Sequence, residues 1–210
     1  MRTPSASFGR WRIAFERHYA RYLAGELSLQ RQRRERFREV FDPTLSDATA
    51  DQLSAWYIDQ YLAACELYPD VEPTLAHLSA YPMGIVSNGE RSQQQYKLMK
   101  TRIDHYFGPV ILSGECGIAK PARGIFELAC GSMGACPSQA VYVGDRPDVD
   151  AEAARSVGMH GIWLDRSGST DHGHPKPDLF TVRTPSRHNA DRTKSKVIIR
   201  STAALHCGNL

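Results

Sequence analysis

The residues best placed to do chemistry are Asp145, Asp148 and Asp150, three carboxylates within the six residues from 145 to 150. They follow Ala140-Val141-Tyr142-Val143-Gly144 and precede Ala151-Glu152-Ala153-Ala154. The first run is apolar, β-branched and aromatic, and reads as a buried parallel strand that stops at a glycine turn. The second reads as the start of a helix. Acids at the carboxyl end of a parallel strand lie where open α/β sheets place their ligands. Crowded carboxylates repel one another unless solvent or a hard cation such as Mg²⁺ sits among them. The competing reading is a surface turn in which Asp148 caps the next helix.

Two upstream stretches belong with this one. Met83-Gly84-Ile85-Val86-Ser87-Asn88-Gly89 is a short strand ending in a hydroxyl-bearing turn. Gly117-Ile118-Ala119-Lys120-Pro121 sets a lysine in a Gly/Pro-bounded loop before another helix. The order is hydroxyl turn, lysine loop, acidic turn. Over roughly residues 67–166 this set resembles motifs two, three and four of the haloacid-dehalogenase-like (HAD) superfamily of Mg²⁺-dependent phosphohydrolases.

The resemblance implies a phosphoryl group passed first to an aspartate and then to water. An Asp-x-Asp-x-Thr motif would supply the nucleophile and the general acid–base, and the other motifs offset charge on the phosphoryl oxygens. By that resemblance, Ser87 donates its hydroxyl to phosphate, and Asn88 and Gly89 offer backbone N–H groups. Lys120 neutralises phosphate and, with Ser87, is the catalytic candidate. Asp145 ligates Mg²⁺, and Asp150 supports the ion or a water on it. Taken singly, Ser87 reads equally as an N-cap, Lys120 as a loop lysine and Asp150 as a helix-start acid.

The first motif of the family is missing. Val40-Phe41-Asp42-Pro43-Thr44-Leu45-Ser46-Asp47 echoes it, but only one Asp precedes the Thr. Residues 34–40 are charged at helical spacing, so a loop between helices is expected there. In the family's sheet the motif-one strand lies centrally, between those of motifs four and two. Its loss would leave two strands with unpaired backbone groups. A weakened or split core is expected, with Val197-Ile198-Ile199 or an N-terminal segment recruited into the gap. The chain reads as beginning inside or just before a cap, as a truncated form or a remnant.

The elements that must position these residues follow from periodicity. Trp11, Phe15, His18, Tyr19 and Tyr22 predict a helix closed by Gly25. Residues 29–41 predict a second, with Arg31, Arg33, Arg34, Arg36 and Arg38 on a solvated face and their stems over a neighbour. Ser46 predicts the cap of a third, with Leu53, Trp56, Tyr57, Tyr61 and Ala64 on one face. From residue 67 onward strands alternate with helices. The expected fold is α/β, a doubly wound parallel sheet of HAD/Rossmann-like type lacking its first strand, with an N-terminal helical cap. Expected boundaries are 1–66 for the cap, 67–170 for a partial core and 171–210 for a basic, loosely ordered tail. His172 and His174 in that tail read as a solvated turn.

Composition narrows the function. The chain has 210 residues and a formal net charge of +3, too small by itself to argue for nucleic acid. No apolar run approaches the ~20 residues of a membrane span. The N-terminus carries no apolar signal core, and the five cysteines form no Cys-x-x-Cys pair. A cytoplasmic protein with reduced thiols is expected, acting on neither nucleic acid nor membrane; its oligomeric state is left open. The expected function is that of a Mg²⁺-dependent phosphatase for a small phosphorylated metabolite, inactive as the chain stands because the nucleophile is absent. The alternatives are a non-catalytic remnant serving as a binding module, and a metal-independent dehalogenase variant. The last has no use for acids at 145, 148 and 150.

Overall fold

The structure, a computed structural model, describes residues 4–166, 197–200 and 205–207. His172 and His174 lie outside them. The chain divides into two units, the first running to Ala64 and including Cys207, the second Cys65–His206. No helix among the described residues is long and apolar enough to cross a membrane.

The first unit is three helices, α1 (Pro4–Leu23), α2 (Leu29–Val40) and α3 (Asp47–Ala63). Ser28 and Ser46 cap α2 and α3, each side chain accepting from the backbone N–H three residues on. Packing is largely aromatic. Trp11 lies edge-on to Phe37 at 5.0 Å and tilted against Tyr57 at 4.9 Å.

The arginine-rich face of α2 divides. Arg34 and Arg38 form ion pairs with Asp47 and Asp51 of α3. Arg36 departs from the expected solvated face, since it is buried, its guanidinium 4.4 Å from the centre of the Trp11 ring. The reason is rotational. Position 36 shares the inward face with Gln32, one turn earlier, and both are buried. On α3 the inward face runs through Ala50, Ser54 and Tyr57, so Trp56, expected inward, is 63% exposed. Asp42 and Thr44 lie in the connection after α2, where Asp42 accepts from the Thr44 amide and hydroxyl in a local turn. That segment is not a strand.

The second unit opens with a short strand, β1 (Cys65–Leu67), and helix α4 (Val71–His77). Then follow β2 (Met83–Ser87), α5 (Arg91–Lys100), β3 (Val110–Leu112), a helical turn α6 (Ser113–Cys116), α7 (Arg123–Ser132) and β4 (Ala140–Gly144). A wide turn at Pro147–Glu152 leads into α8 (Ala153–Ser156), β5 (His160–Trp163) and β6 (Val197–Arg200).

Five of these strands form one sheet in the order β3-β2-β6-β4-β5, parallel throughout. Successive strand residues alternate between faces. Val86 and Tyr142 join Ile125, Phe126 and Ala153 in one core cluster. Ile85 and Met83 join Val71, Leu75 and Leu98 in another. Helices thus cover both faces, as a parallel sheet with two apolar faces requires.

The centre of the sheet is taken by β6. It pairs with β2 through Met83↔Ile198 and Ile85↔Arg200, and with β4 through Ala140↔Val197 and Val143↔Arg200. Val197-Ile198-Ile199 therefore fills the gap left between the two motif-bearing strands, and the sheet is continuous. The same strand lies within the stretch expected to be loosely ordered. A β-branched run meeting two rows of unpaired backbone groups explains the difference.

Two further helices bury only part of their apolar residues. On α5 the buried residues are Gln94, Lys97 and Leu98, while Tyr96 and Met99 are 47% and 60% exposed. On α7 Leu128 is exposed, while Ile125, Phe126 and Ala129 are buried. Docking decides which face of these short helices turns inward, and on α5 it buries two polar residues and leaves two apolar ones outside.

Candidate functional site

Both motif-bearing strands run parallel and end on the same edge of the sheet, β2 at Ser87 and β4 at Gly144. Ser87, Asn88, Lys120 and Asp150 are all buried, at 5%, 8%, 5% and 1% exposure. Polar groups this deep demand partners.

Asn88 binds the lysine loop from both ends of its carboxamide. Its Nδ2 donates to the Lys120 carbonyl at 2.9 Å, and its Oδ1 accepts from the Lys120 N–H at 2.8 Å. This reciprocal pair mimics a strand ladder and fixes a loop 32 residues away in sequence. The Lys120–Pro121 peptide within that loop is cis. The Gly89 N–H donates to Ser87 Oγ at 3.1 Å, which closes the hydroxyl turn. A Cβ at Gly89 would lie 2.1 Å from Gln94 Nε2, so any side chain there must displace that buried amide.

The lysine side chain runs to the acidic turn. Its Nζ donates to Asp150 Oδ1 at 2.6 Å and to the Tyr142 hydroxyl at 2.9 Å. The Tyr142 hydroxyl in turn donates to Asp150 Oδ1 at 3.1 Å, and Asp150 Oδ2 accepts from the Arg146 N–H at 3.1 Å. Gly144 makes room for this arrangement, since a Cβ there would lie 2.4 Å from the Asp150 side chain. Tyr142 is the participant that sequence reasoning missed. It counts as an apolar strand residue by periodicity, and the one signal was a phenol at an inward strand position, whose hydroxyl needs a partner when buried.

Asp145 stands just beyond β4 and is exposed. Protein crowding around its carboxyl raises its pKa above the usual carboxylate range, and the negative charge of Asp150 pushes the same way; Lys120 and Arg146 oppose the shift by less. Asp148 is exposed and lies 3.6 Å from Arg146 Nε. It caps no helix, because it lies inside the helical turn Pro147–Glu152, whose N-cap position is Arg146.

The structure thus brings Asn88, Lys120, Tyr142 and Asp150 into direct contact and sets Asp145 within electrostatic reach of Lys120 and Asp150. Ser87 and Gly89 adjoin them through Asn88. A Mg²⁺ ion needs near-octahedral oxygen ligands. Here both oxygens of Asp150 already accept hydrogen bonds from the protein. Among the described residues no group of three or more His, Cys, Asp or Glu side chains is placed to hold a metal. Of the expected pair, Asp150 is committed to these bonds, which leaves Asp145 as the carboxylate that would meet Mg²⁺, an ion bound through one or two carboxylates with waters and substrate phosphate completing its shell.

Comparison with known proteins bears on the same residues. A family model described as haloacid dehalogenase-like hydrolase matches residues 2–158. The phosphoserine phosphatase of Thermus thermophilus is 35% identical over 115 residues, 54% of this chain and 46% of that protein. The glyceraldehyde 3-phosphate phosphatase of Methanopyrus kandleri is 38% identical over 124 residues, 58% of this chain and 53% of that protein. The chain spans about half the length of the curated relatives it matches.

Among solved structures, the magnesium-bound HAD-hydrolase YfnB of Bacillus subtilis superposes with a TM-score of 0.71 at 14% identity, covering 80% of this chain and 77% of that one. A HAD phosphatase of Thermococcus onnurineus has a TM-score of 0.52 at 27% identity, covering 89% and 74%.

Proposed function

Because the chain belongs to the haloacid dehalogenase-like hydrolase family, we propose that it is the phosphate-holding part of a phosphatase for a small phosphorylated metabolite, and that as it stands it binds such an ester without cleaving it. One observation carries this reading. The buried ammonium of Lys120 is held between Asp150 and Tyr142, in a loop tied to the Ser87-Asn88-Gly89 turn. An ammonium has three N–H donors, and among the described residues two find acceptors. The third is left for an oxyanion, beside a hydroxyl and the amides of a tight turn.

In the family the central strand carries the attacking aspartate. Here that position belongs to β6, whose residues Val197-Ile198-Ile199-Arg200 include no carboxylate. A phospho-aspartyl step needs a carboxylate in line with phosphorus. Asp150 is unsuited to it, being buried and bonded through both oxygens. No step is assigned to Mg²⁺.

The curated relatives act on phosphoserine and glyceraldehyde 3-phosphate, by their names. A compact monophosphate of that size class is the ligand to try. Calorimetric titration with inorganic phosphate tests the reading, alongside hydrolysis of an aryl phosphate with and without Mg²⁺. The expected result is saturable binding lost in Lys120→Met, with no turnover. Turnover abolished by Asp145→Asn would show instead a working phosphatase. Failure to bind phosphate at all would favour the non-catalytic interaction module.

A further inference from the structure

The interior of the helical unit is not an ordinary hydrophobic core. Its buried apolar side chains are Ala14, Leu27, Phe37 and Ala50, and its buried polar ones are His18, Gln32, Arg36 and Ser54. Each of these four is more than nine-tenths buried, and each has one atom with no hydrogen-bond partner among the described residues: His18 Nδ1, Gln32 Oε1, Arg36 Nε and Ser54 Oγ. Buried polar atoms are satisfied in the great majority of cases, and four within three helices stands above the few per hundred residues that native folds carry.

Arg36 is the centre of the anomaly. Three rings surround its guanidinium, with centroids 4.4 Å (Trp11), 5.3 Å (Phe15) and 5.6 Å (Tyr57) away. Aromatic faces attract the cation but leave in-plane N–H donors without acceptors. No carboxylate pairs with it among the described residues, and burial lowers its pKa to about 10. The other orphans lie one helical turn from this box. Gln32 precedes Arg36 on α2, His18 follows Phe15 on α1, and Ser54 precedes Tyr57 on α3. Water could satisfy the dipoles. It cannot supply the negative charge that a desolvated guanidinium lacks.

We propose that the helical unit holds a second binding site, for a small oxyanion that presents its oxygens to the in-plane edge of Arg36. The rings provide an apolar wall for the body of the ligand. Ser54 offers a further hydroxyl donor. Carboxylates and phosphates share this chemistry. The site is separate from the Lys120 cluster and independent of the function proposed for it.

Nitrogen-15 spectra of the arginine Nε–H groups of the full chain give the test. The Arg36 signal is assigned on the unmutated chain by through-bond correlation from its own backbone amide along the side chain to Nε–H. Sodium acetate and inorganic phosphate are titrated separately, each against sodium chloride at matched ionic strength. A saturable shift of the Arg36 signal is expected with one of the two anions and not with chloride; the responding anion tells a carboxylate from a phosphate ligand. Lys120→Met should leave that affinity unchanged, which separates this site from the phosphate cluster. Arg36→Lys keeps the charge but loses the planar edge, and apparent affinity by calorimetry should drop about tenfold, the cost of losing roughly one charge-assisted hydrogen bond. No saturable shift with either anion, or an equal shift with chloride, overturns the proposal. Both of those results are read on the unmutated chain, whatever the stability of the variant.

Discussion

The ammonium of Lys120 lies 2.6 Å from the carboxylate of Asp150, and both side chains are removed from water. The pair joins the lysine loop to the acidic turn across 30 residues of sequence. Isolated, either charge would be costly at this depth; together, with Tyr142 and the Arg146 N–H completing the hydrogen bonds, they are tolerated.

Removing one partner of this pair should therefore cost more than removing both. Asp150→Asn leaves a buried ammonium without its counter-charge and should destabilise by about 3–5 kcal/mol. The double variant Lys120→Met/Asp150→Leu should recover much of that loss. Urea unfolding of both singles and the double measures the coupling, and strictly additive losses would contradict it.

Asn88→Ala should act through the backbone of a distant loop. It deprives the buried N–H and carbonyl of Lys120 of their partners at once. A loss of about 2–4 kcal/mol is expected from the two unmet groups. Faster amide exchange at residues 118–122 would accompany it.

Gly144→Ala places a methyl against Asp150, where a Cβ has 2.4 Å. The carboxylate must then leave Lys120 or the strand must shift, at a cost of about 1–3 kcal/mol. The same substitution at Gly131, where a Cβ meets nothing within 4 Å, is the control and should stabilise α7 slightly.

The helical unit should lose stability in acid by a defined route. The hydrogen bond from Arg38 holds the Asp47 carboxyl below the usual range, and that from Arg34 does the same for Asp51. With folded-state values depressed, the unfolded chain binds protons first as pH falls. The stabilisation is complete above the ordinary aspartate value of about 4 and fades as pH drops through the folded-state values. Thermal midpoints at low salt should show this fall. It should shrink in Asp47→Asn/Asp51→Asn and at high salt, because Asp47, shared by both arginines, is 60% exposed.

Thiol labelling should sort the cysteines by depth. Cys136 is exposed, whereas Cys65 and Cys130 are buried, and burial raises the Cys130 pKa. Since the thiolate is the reactive form, Cys136 should label rapidly at neutral pH and Cys130 only on unfolding. Mass spectrometry after timed labelling resolves the sites. Early modification of Cys130 would mean that α7 opens readily.

Sequence by itself determined the local elements and the order of the three motifs, because each rests on neighbouring residues. An apolar β-branched run ending in glycine at 140–144 makes a strand whatever surrounds it, and Ser46 before an amphipathic segment makes an N-cap. Only tertiary structure decided which buried groups meet. Tyr142 counts as an apolar strand residue until Lys120 and Asp150 arrive at its hydroxyl from other parts of the chain. Trp56, Tyr96 and Met99 fit inward helix faces by spacing, yet docking leaves all three exposed and buries Ser54, Gln94 and Lys97 on the same helices. The centre of the sheet lay beyond any local signal: Val197–Arg200 is a short apolar run, and its place between β2 and β4 follows from the unpaired backbone of two strands more than fifty residues upstream, a long-range demand that no window of sequence contains.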